Sequence, residues 1–207
     1  MAAEKVFGMF GSDDGSSGPP ENVSNAELDY PQGVFTLFFA FRPAPPLDAK
    51  IVKTAALLDK EHGVHGKSLR RDQLHISLHA IGSYRGLPPS EVAFARRVGE
   101  SMSARAFDVV FDRTMTFGGN TPRVLCVSED SKQIQTFWQD LGIAIANAGR
   151  GVKTRKFSPH MTVSYGGRSL GVQEIEPIHM KITELFLLNS HYGEGVHEIL
   201  GQWPLIS

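Results

Sequence analysis

Leu74-His75-Ile76-Ser77-Leu78-His79-Ala80-Ile81 alternates apolar and polar side chains, the period of a strand with one face in a core. Further along the chain, Ser158-Pro159-His160-Met161-Thr162-Val163 repeats the order histidine, apolar, hydroxyl, apolar. Residues i and i+2 of a strand share a face, so each segment presents an imidazole and a hydroxyl to one side and turns its apolar residues to the other.

Each segment closes a similar unit. Gly33 is followed by the nearly continuous apolar run Val34 to Phe41, which predicts a buried strand ended by Pro43, Pro45 and Pro46. Helical spacing from Leu47 to about His62 follows, closed by Gly63, then a basic loop with Lys67, Arg70 and Arg71, and the first motif strand, with Gly82 at its end. The second unit has a strand at Val124 to Val127, a helix from Lys132 to about Ala148, a basic loop with Arg150, Lys153, Arg155 and Lys156, and a strand at Met161 to Tyr165. The motif histidine lies 40 residues beyond Phe35 in the first unit and 36 beyond Val124 in the second, as two copies of one strand–helix–strand unit would place it.

Between the units the spacing predicts a helix over 90–103, led by Pro88 and Pro89, and a strand over 107–111; after them, strands over 181–189 and 199–206. The fold class is α+β, with mostly antiparallel sheets and helices on their outer faces. Residues 1–31, rich in Gly, Ser, Pro, Asp and Asn, read as a flexible tail. Residues 32–207 form one domain, with motif-bearing halves of about 32–120 and 121–207.

With 41% hydrophobic residues the chain can build a core, and a net charge of -1 excludes a global basic field for long nucleic acids. The single cysteine, Cys126, excludes an intramolecular disulfide or a cysteine-rich zinc site, and reads as a small buried side chain. No apolar run suits a signal peptide or a membrane span, so a cytoplasmic location is expected.

Two histidines and two hydroxyls suit a particular chemistry. Opening a cyclic phosphodiester needs one group to take a proton from water and another to give one to the departing ribose oxygen. Imidazole does both near neutral pH. Ser77 and Thr162 would hydrogen-bond the non-bridging oxygens, the basic loops would add local positive charge, and no metal is required. Taken singly, the loop cations are more simply read as solvated.

The motifs, with the opening strand Phe35 to Arg42, Asp72-Gln73-Leu74-His75, Phe157-Ser158-Pro159-His160 and the closing Gln202-Trp203-Pro204-Leu205, resemble the 2H phosphoesterase superfamily. Within it they resemble the 2'-5' RNA ligase-like proteins, many of which are RNA 2',3'-cyclic phosphodiesterases. The resemblance spans about residues 33–207 and implies a two-lobed, pseudo-symmetric fold whose motif strands line a central cleft. It implies His75 as proton donor, His160 as proton acceptor, Ser77 and Thr162 as phosphate ligands, and no cofactor. The substrate it implies is an RNA end or cyclic nucleotide, opened to a 2'-phosphate, with 2'-5' ligation as a related activity; the chain is expected to be a monomer. Departures from the family pattern are Ser77 for threonine, His79 and Ala80 for bulky apolar residues, and His197 for a tyrosine.

Other residues carry plainer expectations. His79 shares the strand face of His75 and reads as an extension or polar edge of the site. His62 and His65 read as capping or solvated residues rather than metal ligands. Phe157 and Tyr165 read as core, with stacking on a nucleobase as the alternative. A nucleotide-binding module without turnover and a metal-assisted hydrolase are the competing functions.

Overall fold

A computed structural model of the protein describes residues 33–63, 65–117, 122–152, 156–191 and 193–207. The tail over 1–31 lies outside the described residues, as do Lys153 and Arg155 of the second basic loop. Among the described residues, nine strands and three α-helices follow in the order β1 (Val34–Phe41), α1 (Leu47–Glu61), β2 (Lys67–Ser68), β3 (Ile76–Arg85), α2 (Pro89–Ser101), β4 (Phe107–Thr116), β5 (Pro122–Val127), α3 (Lys132–Asn147), β6 (His160–Tyr165), β7 (Gln173–Ile182), β8 (Glu184–His191) and β9 (Val196–Pro204).

All these strands belong to one sheet of order β7-β4-β5-β6-β3-β1-β8-β9, with β2 beside β6, and every paired neighbour is antiparallel. The order is symmetric about the β3·β6 junction: β3-β1-β8-β9 runs one way and β6-β5-β4-β7 the other. These groups of four do not coincide with the chain halves 32–120 and 121–207. The strand β4 pairs with β5 of the later half, and β8 returns to pair with β1 of the earlier one.

Helix α1 packs on β6 and α3 packs on β3, so each motif strand is backed by the other unit's helix. The core between them takes Leu37, Phe39 and Phe41 from β1, Ile76 and Leu78 from β3, and Met161 and Val163 from β6. Phe38 and Ala40 point to the opposite sheet face, where they cluster with Phe186 and Leu188.

Two departures from expectation have local reasons. The strand β3 does not stop at Gly82; it runs on to Arg85 because Gly82 leaves room for the Tyr84 ring, which occupies the space a Cβ would need. The strand expected over 181–189 is β8, whereas β7 (Gln173–Ile182), a polar run that includes Pro177, is a strand that no expectation covered. Proline is tolerated because β7 is an edge strand with a register irregularity there: Phe111 pairs with Ile178, but Arg113 with Glu174.

A buried ion pair ties α1 to β5. Arg123, 1% exposed, donates to Asp59 of α1 and to the Thr114 hydroxyl at 3.3 Å. Removing one partner strands the other charge, so Arg123→Met is expected to lower the unfolding free energy by ~3–5 kcal/mol. Urea denaturation checks this, and the double variant with Asp59→Leu should recover much of the loss. A second prediction concerns α2, where the Trp203 ring lies against Gly99. Alanine there gains ~1 kcal/mol of helix propensity, yet its methyl overlaps the indole, and overpacking costs ~1–3 kcal/mol. Gly99→Ala is therefore expected to lower the melting temperature.

Candidate functional site

Ile76 of β3 pairs with Met161 of β6, and both are fully buried. Carrying that antiparallel register one residue each way sets His75 opposite Thr162 and Ser77 opposite His160. Directly opposed residues share a face, as do residues two apart. All four polar side chains therefore stand on the face opposite Ile76 and Met161, and all four are half-buried. His75 and His160 are diagonal neighbours across the junction, a relation that separates Cβ atoms by about 7–8 Å. A proton on His160 disfavours one on His75, an electrostatic sign of the same approach.

The two rings are held alike. Nδ1 of His75 lies 2.7 Å from the Gln73 carbonyl oxygen, and Nδ1 of His160 lies 2.7 Å from that of Ser158. A carbonyl only accepts, so both Nδ1 atoms carry a hydrogen and donate it. In that tautomer Nε2 of each ring carries the lone pair.

Their surroundings differ. Beside His75 stand Phe38, with ring centroids 5.2 Å apart, and His197 of β9, at 4.8 Å and nearly perpendicular. Because Phe41 pairs with Ile76, the next residue, Arg42, falls opposite His75. Its guanidinium donates to the Asp72 carbonyl at 2.7 Å. Beside His160, Cys126 is the direct strand partner and the Phe117 ring lies edge-on at 4.7 Å.

Burial first, then the charges of His197, Arg42 and His160, push the His75 pKa from an ordinary 6.5 down to about 3, against the opposing bond to Gln73. Burial also lowers the pKa of His160, against its bond to Ser158. Both rings are thus neutral in the ligand-free protein at neutral pH.

Several sequence expectations are corrected. His79 is not on the site face. Ala40 pairs with Ser77 but Phe38 with Ala80, so β3 carries an extra residue between them, and His79 turns to the helix side. There it is buried, stacks on Trp138 at 4.6 Å and has Nε2 2.8 Å from the Trp138 carbonyl oxygen. Phe157 also stacks on Trp138, at 5.1 Å, as core packing predicts. Tyr165 is 52% exposed and is not core. Cys126 is half-buried on the site face rather than enclosed.

Three cations of the basic loops stand beside acidic groups. Arg70 pairs with Asp72, and Arg150 pairs with Glu91 while lying over the Phe94 ring. Arg71 lies 3.8 Å from Asp48. The residues that sequence reasoning missed are Arg42, Phe38 and Phe117, and His197 was singled out only as a departure from the family pattern, with no place beside His75. Of the missed three, Arg42 alone had a readable signal, as the last residue of the opening strand. His62 ends α1, its backbone N–H donating to the Leu58 carbonyl at 3.0 Å. Among the described residues no cluster of three or more His, Cys, Asp or Glu could hold a metal ion, and no helix is long and apolar enough to cross a membrane.

Residues 42–194 match the family model described as the 2'-5' RNA ligase superfamily. The chain belongs to the 2'-5' RNA ligase superfamily. The matched segment is shorter than the expected 33–207 and leaves out Phe38 and His197. Among solved structures, Escherichia coli LigT in apo form superposes with a TM-score of 0.65 at 21% identity, covering 85% of this chain and 100% of that one. LigT complexed with 3'-AMP gives 0.64 at 20%, covering 84% and 99%. TT0787 of Thermus thermophilus gives 0.60 at 16%, covering 82% and 97%. These likenesses establish the fold. No curated protein matches the sequence.

The lowered histidines have a consequence for stability. A histidine whose pKa falls on folding is protonated more readily in the unfolded chain, so stability is intact above about pH 6.5 and declines as the pH drops toward the folded value. For His75 the window runs from 6.5 down to about 3. His75→Asn is expected to flatten part of the acid-side decline, measured as unfolding free energy against pH.

Proposed function

We propose that the chain is a phosphodiesterase that opens 2',3'-cyclic phosphates at RNA ends or on nucleotides, using His75 and His160 as its acid–base pair. The observation that carries this reading is the register at Ile76 and Met161, with two imidazoles and two hydroxyls on one face. On this reading the motif strands line a cleft between two lobes, and a phosphodiester sits between the rings.

Nε2 of His160 takes a proton from water, whose oxygen attacks phosphorus. The bond from phosphorus to O3' breaks, and His75 gives its proton to that oxygen. The products are a 2'-phosphomonoester and a free 3'-hydroxyl. His160 then loses its proton to solvent, and His75 takes one from solvent only as the next substrate binds. The Ser77 and Thr162 hydroxyls donate to the non-bridging oxygens, and Arg42 adds positive charge beside His75. The phosphodiester's negative charge offsets the cost of a proton on His75, so substrate itself restores the acid. In reverse the two histidines exchange roles, which is the route to 2'-5' ligation. LigT's complex with 3'-AMP supports a nucleotide as the ligand class.

Purified protein incubated with 2',3'-cyclic nucleotides and oligoribonucleotides ending in a cyclic phosphate, in EDTA, is expected to form 2'-phosphates with a bell-shaped pH profile. His75→Ala and His160→Ala should each lose about 10²–10⁴-fold in kcat. Normal turnover in either variant refutes the two-histidine mechanism. The neutral state of both rings also suits a binding module without turnover, for which calorimetry would find nucleotide binding alongside undetectable hydrolysis.

A further inference from the structure

His197 is the imidazole that neither motif accounts for. In β9 it pairs with Ser190 of β8, which pairs with Thr36 of β1, so it lies on the sheet face of Phe38 and Leu188. Its ring meets His75 at 4.8 Å and 87°, and Phe38 at 6.1 Å and 82°. With Phe38 and His75 themselves 5.2 Å apart, the three rings form a closed triangle. Among the described residues, Nδ1 of His197 is buried without a hydrogen-bond partner.

The groups around this ring are His75 from β3, Arg42 after β1, Arg70 and Asp72 from the turn before β3, and His191 from β8. Asp72 is the one acid among them, and it is engaged by Arg70. A second proton on His197 would bury an N–H with no acceptor in a largely cationic setting. The neutral ring only leaves a lone pair unused, a smaller cost. Two imidazoles this close cannot both be charged without mutual repulsion, so they titrate as a pair.

We propose that His197 is a positioning residue for His75: with Phe38 it fixes the plane of the His75 ring, and its protonation state governs whether His75 can hold a proton. This rests on the acid–base role of His75 proposed above. Without an anion His75 is the ring that stays neutral, held down by burial and then by the His197 charge; a phosphate bound beside Ser77 and Thr162 draws the pair's single proton to His75. His197 thereby delays charging of the acid until an anion is bound. After burial, the His197 charge is the next cause that lowers the His75 pKa, while burial first and then Arg42 lower that of His197.

The test follows the His75 ring by NMR across pH in wild type and His197→Phe, with and without inorganic phosphate. Phenylalanine keeps an aromatic contact and removes the titrating partner, so the His75 titration is expected to move upward by roughly one unit. The limb of the kcat/KM profile belonging to His75 should move with it, while the other limb stays. His197→Gln, also unable to charge, is expected to give the same shift with a lower kcat and a KM near wild type, since it lacks the ring contact; it also serves if the phenylalanine variant does not fold. A His75 titration identical to wild type in these variants overturns the proposal. The NMR readout needs no turnover: a wild type without hydrolysis but with the shift refutes the phosphodiesterase reading alone, and active protein with an unmoved titration refutes the role of His197 alone.

Discussion

The pairing of Ile76 with Met161 is the constraint from which the site follows. These two buried residues occupy the centre of the symmetric strand order, and each is flanked by a histidine on one side and a hydroxyl residue on the other. Strand periodicity then leaves no freedom: once the apolar pair enters the core, the polar four must emerge together on the other face. A slip of one residue would bury the imidazoles and expose the apolar residues, so the energy that holds the core also holds the site in register. The exchange of helices reinforces this, since α1 backs β6 and α3 backs β3. Neither motif strand is supported by its own unit alone.

What the sequence made legible was periodic. The helices α1, α3 and the strand β1 carry strong, uninterrupted patterns, and their observed bounds lie within a residue or two of those expected. Both motif histidines were legible because the tetrapeptide recurs and because period-2 alternation defines a face. The failures share another origin. His79 was misplaced because a bulge breaks the period without any proline or glycine to announce it. Gly82 was read as punctuation, although its purpose is to accept the Tyr84 ring. The strand β7 was hidden because an edge strand needs little apolar pattern.

The contributions of Phe38, His197 and Phe117 are non-local. Phe38 looks like one more apolar residue in a buried run, and nothing in that run says that it faces away from the core proper. His197 reaches His75 only because β9 joins β8 and β8 joins β1, a connection between distant parts of the chain. Two cations of the basic loops, Arg70 and Arg150, illustrate the opposite difficulty. Their charges are obvious in sequence, but Arg70 and Arg150 are engaged by Asp72 and Glu91, and local charge counts cannot show which cations already have partners.

The near-symmetry of the two motifs gives weight to their different surroundings. Proton transfer in one direction needs an acid and a base that differ, yet the local chemistry of the two histidines is the same down to the carbonyl that each Nδ1 engages. The difference comes from neighbours: His75 faces Arg42, His197 and His160, whereas His160 sits opposite a thiol, Cys126, and against the Phe117 ring. An imidazolium crowded by like charges is a strong acid, ready to release its proton to a departing alkoxide. An imidazole facing a neutral thiol and a hydrocarbon ring is the better acceptor. The proposed direction, from His75 to the leaving oxygen and from water to His160, follows that gradient, provided an anion is present to load His75 first. On the proposed mechanism, substrate charge does more than bind: it supplies the condition under which the stronger acid exists at all, and its loss with the departing product returns both rings to neutrality.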